Sequence, residues 1–205
     1  MGTGTKIALG IIGAIVLLVI VFGTAIAGTY NSLVQLDQAT QAQWGQVQNV
    51  YQRRADLVPN LVATVKGAAN FEQQTLTAVT EARSKVGQVT QGAIQNIAND
   101  PQAFQRFEQA QAGLSSALSR LMVVAERYPE LKATQGFRDL QVQLEGTENR
   151  ISVERMRFND TARAFNTKRE SFPTVIIAGF FGNKFAPKPY FQAQTGAEKA
   201  PEVKF

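Results

Sequence analysis

The stretch RRADLVPN, residues 53–60, gathers two arginines, an aspartate, a proline and an asparagine inside an otherwise amphipathic helical pattern. Guanidinium groups present planar forks of donors that match carboxylates and phosphates. Arg53, Arg54, Asp56 and Asn60 therefore form one candidate recognition patch, suited to an anionic ligand or a peptide. Pro59 supplies a structural reason for the same cluster. Proline carries no N–H, and the carbonyl it leaves free is that of Ala55, four residues earlier; Asn60 is a candidate to satisfy the freed backbone. Stepping in threes and fours from Trp44 puts Arg54 on the inner side of the helix, where a charge needs a partner. If a later helix runs antiparallel beside this one, residues near Glu145 and Glu148 stand at a comparable height. An internal arginine–carboxylate pair that sets register is then the plainer reading. Glu154 on an apolar stripe either pairs with Arg83 or tilts outward, and Trp44 reads as a core or groove-filling residue.

Other chemistry is thinly supplied. The 205 residues include no histidine and no cysteine, which removes thiol nucleophiles, imidazole bases and the usual zinc ligands. Paired carboxylates on helices can hold two metals, but such sites add Glu-x-x-His motifs. No glycine-rich phosphate loop follows a strand, and G-x-S-x-G is absent. The expectation is no catalytic residue, no cofactor and no metal. The net charge of +5 gives mild attraction to anionic surfaces. Nucleic acid is not expected as a partner, because Arg150, Arg155, Arg157, Arg163, Lys168 and Arg169 are interleaved with Glu148, Glu154, Asp160 and Glu170, the pattern of a solvated helix face.

The element that must carry this segment to its place comes before it. IALGIIGAIVLLVIVFGTAIAG, residues 7–28, has no charged residue. At a rise of 1.5 Å per residue, ~20 such residues cross a hydrocarbon layer ~30 Å thick. The run also exceeds the ~7–15 residues of a signal-peptide core, so it reads as a retained anchor in membrane lipid. Cleavage stays open as the alternative, because Ala25-Ile26-Ala27 before Gly28 has the small-x-small form that signal peptidase accepts. Lys6 before the span, against a first basic pair at Arg53 and Arg54 after it, places the N-terminus in the cytoplasm and the rest outside it.

Beyond the span the apolar period is that of soluble helices. One segment runs from about Tyr30 to Ala69 and a second starts near Phe71 and carries Ile94 and Ile97. NDP at 99–101 provides a cap and a first-turn proline for a third, Pro101 to Arg127. Tyr128-Pro129 closes it, and a fourth extends to about Ser171. Short breaks between long helices predict an all-α fold: a single transmembrane helix followed by an antiparallel, up-down-up-down four-helix bundle. The predicted division is 1–6 as a short cytoplasmic N-terminus, 7–28 as the span, 30–171 as the bundle, 172–191 as an irregular aromatic tail and 192–205 as a disordered end. In an up-down bundle the fourth helix returns to the end where the first left the membrane. Phe172, Phe180, Phe181, Lys184, Phe185, Tyr190 and Phe191 are thus candidates for membrane or partner contact, with packing back on the bundle, hiding Val175-Ile176-Ile177, as the competing role.

YNSLV (30–34), Trp44, RRADLVPNLVATVK (53–66), AR (82–83), ERYPEL (126–131), Phe137, LQ (140–141), ENRI (148–151), RFN (157–159), FN (165–166) and FP (172–173) together resemble LemA family proteins over about residues 7 to 185. The resemblance implies a bacterial single-pass membrane protein with an antiparallel helical bundle and no established enzymatic activity. A magnetosome-associated branch suggests a role in membrane organisation. The combined expectation is a non-enzymatic, membrane-anchored scaffold or adaptor in the bacterial cell membrane. It would recruit a protein partner or form a homo-oligomer. The alternative is a module that binds an anionic ligand or peptide at Arg53, Arg54 and Asp56, accessory to a membrane enzyme complex.

Overall fold

The computed structural model describes residues 2–67, 72–93 and 97–192, and contains no strand among them. Its first element, α1 (Thr3–Lys66), is a single helix of 64 residues. Sequence reading separates a span from a first soluble helix near residue 29, but the structure makes no such break. The junction AIAGTYNSLV holds no proline and one glycine, Gly28, and a lone glycine costs only about 1 kcal/mol. That is too little to end a helix continued on both sides. The helix also runs through Pro59.

After α1 come α2 (Gln73–Ala93), a 3-10 turn at Ile97–Asn99, α3 (Pro101–Ala125), α4 (Pro129–Ala133) and α5 (Gln135–Glu170). The expected positions Phe71 and Ile94 lie outside the described residues, whereas Ile97 is buried in the 3-10 turn. Asp100 caps α3, its carboxylate accepting from the Gln102 and Ala103 amides at 2.8 and 3.2 Å, ahead of Pro101 in the first turn. Such a cap contributes about 1 kcal/mol. Tyr128-Pro129 separates α3 from the short α4, and the Thr134 hydroxyl then caps α5 by accepting from the Phe137 amide.

Apolar stripes decide which helices meet. Leu33 clusters with Phe165, Trp44 meets Phe158 and Arg54 meets Glu148, so rising positions on α1 face falling positions on α5. On the other side, Trp44 touches Phe104 and Phe107, and Arg54 reaches Gln111 and Ser115. There α1 and α3 ascend together. α2 packs mainly on α3. The interior has three layers: aliphatic around Leu61, Leu114 and Leu121, aromatic around Trp44, Phe104 and Phe158, and a small cluster of Leu33, Phe165, Ala178 and Phe185. Below the last of these, every large apolar side chain described between Ile7 and Ile26 is exposed.

The segment after α5, expected as an irregular aromatic tail, is partly helical. It forms α6 (Thr174–Phe180) and a 3-10 turn at Gly182–Phe185 before running extended to Gln192. Thr174 and Ala178, one turn apart, are buried against the rest of the molecule, which gives this short helix a packed side. Gly182, with φ of +54°, makes the bend out of α6, a backbone conformation that other residues rarely adopt. The remainder of the expected disordered end, 193–205, lies outside the described residues.

Candidate functional site

The charged stretch at 53–60 is split by its own helix. Arg54 is buried and Arg53, Asp56, Pro59 and Asn60 are exposed. Asp56 accepts from Gln52, one turn earlier, at 2.8 Å. Arg53 and Arg54 thus face different surroundings and make no shared patch. Around Arg54 the acceptors come from two other helices. Nη1 donates to Glu148 Oε1 on α5 and to Ser115 Oγ on α3, each at 2.7 Å. Nη2 donates to the Gln111 side-chain oxygen and, at 3.2 Å, to its backbone carbonyl, and the guanidinium lies 5.1 Å from the Tyr51 ring centre. Nε finds no acceptor among the described residues.

This centre is an internal tie with little left for a ligand, since both terminal nitrogens are engaged. Its carboxylate differs from its cation. The Glu148 side chain is 45% exposed and the Arg54 side chain 2%, because Glu148 opens onto a groove between α3 and α5 that is also lined by Ser119, Gln141, Glu145 and Asn149. Close by, burial raises the Tyr51 phenol above its ordinary range, partly opposed by Arg155 and Arg54.

Pro59 is answered by a residue of the next helix. Arg83 Nε on α2 donates to the Ala55 carbonyl at 3.0 Å, the acceptor that proline leaves unserved. Asn60 does not take that role; its carbonyl accepts from Thr64. Nor does Arg83 meet Glu154, which accepts from Gln43 of α1 at 2.6 Å and pairs with Arg157. Trp44 lies within an aromatic box of Phe104, Phe107, Phe158 and Phe191.

A second polar centre holds the tail. Lys188 is buried, its amine donating to Asp37 of α1 and Asn99 of the 3-10 turn and lying 4.7 Å from the Phe165 ring centre. Two asparagines of α5 grip the tail backbone in both directions. Asn166 donates to the Lys188 carbonyl at 2.9 Å and accepts from its amide at 2.8 Å. Asn159 does the same for Phe191, both at 2.9 Å. Seven helical residues rise about 10.5 Å and three extended residues span about 9–10 Å. The spacings on helix and tail therefore match. Arg169 donates to the Phe185 carbonyl at 2.6 Å, and Arg155 to that of Gln192 at 2.8 Å.

The tail's own pattern fits this grip. Ala186 has φ of −59° and ψ of 147°, in the polyproline region, and Pro187 and Pro189 favour the same conformation. Three residues per turn bring every third side chain to one face. Phe185, Lys188 and Phe191 are all buried, whereas Pro187 and Tyr190 are exposed. Glu108 adjoins the end of the clasp, 3.6 Å from Arg155. Burial raises its carboxyl above the ordinary range, with Arg155 and a backbone hydrogen bond from Gln192 pulling the other way.

The other aromatic candidates take a different environment. Phe172 and Phe180 are 82% and 87% exposed. Phe181 and Lys184 are also exposed but lie against Tyr30 of α1. Val175 and Ile176 are not hidden by packing. Asn159, Asn166, Asp37 and Asn99 escape candidate selection from sequence; RFN and FN mark the two asparagines only as parts of a pattern.

These features define a helical protein with, among the described residues, one helix long and apolar enough to cross a membrane by length and composition, and with buried charges answered from within. The sequence profile of the LemA family matches residues 43–205, and the chain belongs to that family. It is 27% identical over 212 residues to Magnetosome protein MamQ 2 of Paramagnetospirillum magneticum, covering 97% of this chain and 76% of the relative. To Magnetosome protein MamQ of Magnetospirillum gryphiswaldense it is 26% identical over 183 residues, 82% of this chain and 67% of the relative. It is 23% identical over 158 residues to Protein LemA of Metamycoplasma hominis, 77% and 67% of the two chains.

Proposed function

We propose that this protein is a non-catalytic, membrane-anchored scaffold. Its helices form an antiparallel four-helix bundle held outside the cytoplasm on the N-terminal span, and the bundle surface recruits a protein partner or a second copy. The continuity of α1 carries this reading. One helix of 64 residues, about 96 Å at 1.5 Å per residue, begins in exposed apolar side chains and ends inside the core. A bundle joined to its span without a loop keeps a set orientation to the bilayer, which suits a part that positions other molecules. The magnetosome names of two relatives accord with a role in organising a membrane. A ligand module at Arg53, Arg54 and Asp56 is the weaker reading, because both terminal nitrogens of Arg54 are engaged inside the helices and the residue faces away from the other two.

Photo-crosslinking in cells tests the proposal, with the reactive group placed at exposed Val123, Val142 or Met156 of the full chain and the products identified by mass spectrometry. A recurrent membrane partner supports an adaptor, and crosslinks to the same chain alone support a self-assembling scaffold. Substrate turnover by the purified protein, abolished by a point substitution on the bundle, would overturn the non-catalytic reading.

A further inference from the structure

We propose that α6 is a second membrane contact, a short interfacial foot that dips into the same leaflet from which α1 emerges. This rests on the reading of residues 7–28 as a span. Its occupant is the boundary between acyl chains and headgroups.

Height along the helices is the first argument. Phe165 and Leu33 share a cluster, and α5 runs opposite to α1. From Phe165, five further residues bring α5 to its end at Glu170, level with residue 28 of α1, where the apolar run stops. The chain then turns into α6, and the next turn returns to α1, with Tyr30 against Phe181 and Phe185 at ring-centre distances of 4.9 and 5.6 Å. α6 therefore lies beside the exit point of the apolar segment, and its exposed side chains continue that surface.

Chemistry is the second. Thr174 and Ala178 face inward, leaving Val175, Ile176 and Phe180 outward with Phe172 just before them. Phenylalanines so fully exposed next to aliphatic neighbours are unusual on a water-facing surface. Residues 172–192 contain no acidic side chain. Lys184 is exposed at the edge of the patch, and the last turn of α5 carries the half-buried Lys168 and Arg169 beside one exposed acid, Glu170. Aromatic and aliphatic side chains bordered by cations match an interface with anionic headgroups, where such elements sit about 5–10 Å deep. The clasp gives the foot its position. Asn166, Arg169 and Lys188 secure the chain after α6, while α5 itself secures the chain before it.

The chain has no cysteine, so a single introduced one reports its site without background. Phe172→Cys, Phe180→Cys, Val142→Cys and Val16→Cys would each be labelled with a polarity-sensitive fluorophore in the full chain. The labelled proteins would be reconstituted in vesicles of phosphatidylcholine and phosphatidylglycerol with and without nitroxide lipids, after far-UV dichroism shows unchanged helix content. The expected result is blue-shifted emission quenched by shallow nitroxides at 172 and 180, quenching by deep nitroxides at 16, and neither effect at 142. Quenching at 16 with water-like emission at 172 and 180 would overturn the foot and leave the span intact. Lack of quenching at 16 would overturn the span reading on which the foot rests. Blue-shifted emission at 180 that nitroxides do not quench, and that grows with protein density, would overturn the foot in favour of contact with a second copy.

Discussion

Arg54 and Lys188 are both buried cations with one carboxylate partner each, yet they serve different parts of the molecule. Arg54 draws its acceptors from α3 and α5, in the middle of the long helices. Lys188 brings its charge from the tail to Asp37 and Asn99 near the lower layer. The first centre joins three long helices through one side chain and so ties them at a common height. The second fixes a segment that could peel away without unfolding them.

The largest expected effect breaks the first centre. Glu148→Ala leaves Arg54 charged and buried, at a cost of about 3–5 kcal/mol in chemical denaturation. Adding Arg54→Met should recover much of this loss, since an apolar residue of similar length removes the unanswered charge. A loss below about 1 kcal/mol from Glu148→Ala would show that Gln111 and Ser115 suffice.

Next comes the tie at Pro59. Arg83→Ala strands the Ala55 carbonyl, at a cost of about 1–3 kcal/mol. The same change in a Pro59→Ala background should cost less, because the restored N–H can serve that carbonyl. Equal costs in both backgrounds would separate Arg83 from the proline.

A change in the clasp should act locally. Asn166→Ala removes both backbone bonds to Lys188 and the bond to the Tyr190 hydroxyl. Hydrogen exchange at residues 186–191 should rise ~10-fold or more, given about 1–1.5 kcal/mol per lost bond, with the melting temperature of the long helices little changed. Global unfolding at Asn166→Ala would erase the distinction between the two centres.

The smallest effect is a change of slope. Glu108 has a raised carboxyl pKa in the folded protein, so the folded state holds its proton over a pH range where the unfolded chain has released it. That contribution to stability is full below the ordinary glutamate range and is lost as pH rises through the folded value. Glu108→Gln should flatten the fall in stability over this window, as read from denaturation midpoints at successive pH values. An unchanged slope would remove Glu108 from the account.

The sequence was most legible where periodicity and burial agree. Helical steps from Trp44 put Arg54 inside, and an antiparallel course of the later helix puts the neighbourhood of Glu145 and Glu148 at its level. The lack of a break near Gly28 was not legible, because a change in composition looks like a boundary even when the backbone continues. Pro59 announced a missing donor, but nothing local indicated Arg83 as the substitute. The tail was harder still. Its three-residue period through Phe185, Lys188 and Phe191 was present, yet the run of aromatics reads only as an irregular tail until the matching asparagines on α5 are placed beside it.

By itself the sequence determined an apolar stretch long enough for a bilayer, the helical character of the chain beyond that stretch, the inward side of α1, and the family pattern in its dispersed motifs. These depend on composition and on spacings within one element, which the geometry of the helix converts directly into faces. Only the tertiary structure decided that Arg83 serves Ala55, that Asp37 and Asn99 meet Lys188, and that Phe185 and Phe191 turn inward while Phe172 and Phe180 remain outside. Those outcomes depend on distances between segments up to about 150 residues apart in sequence, and such distances exist only once the helices have packed.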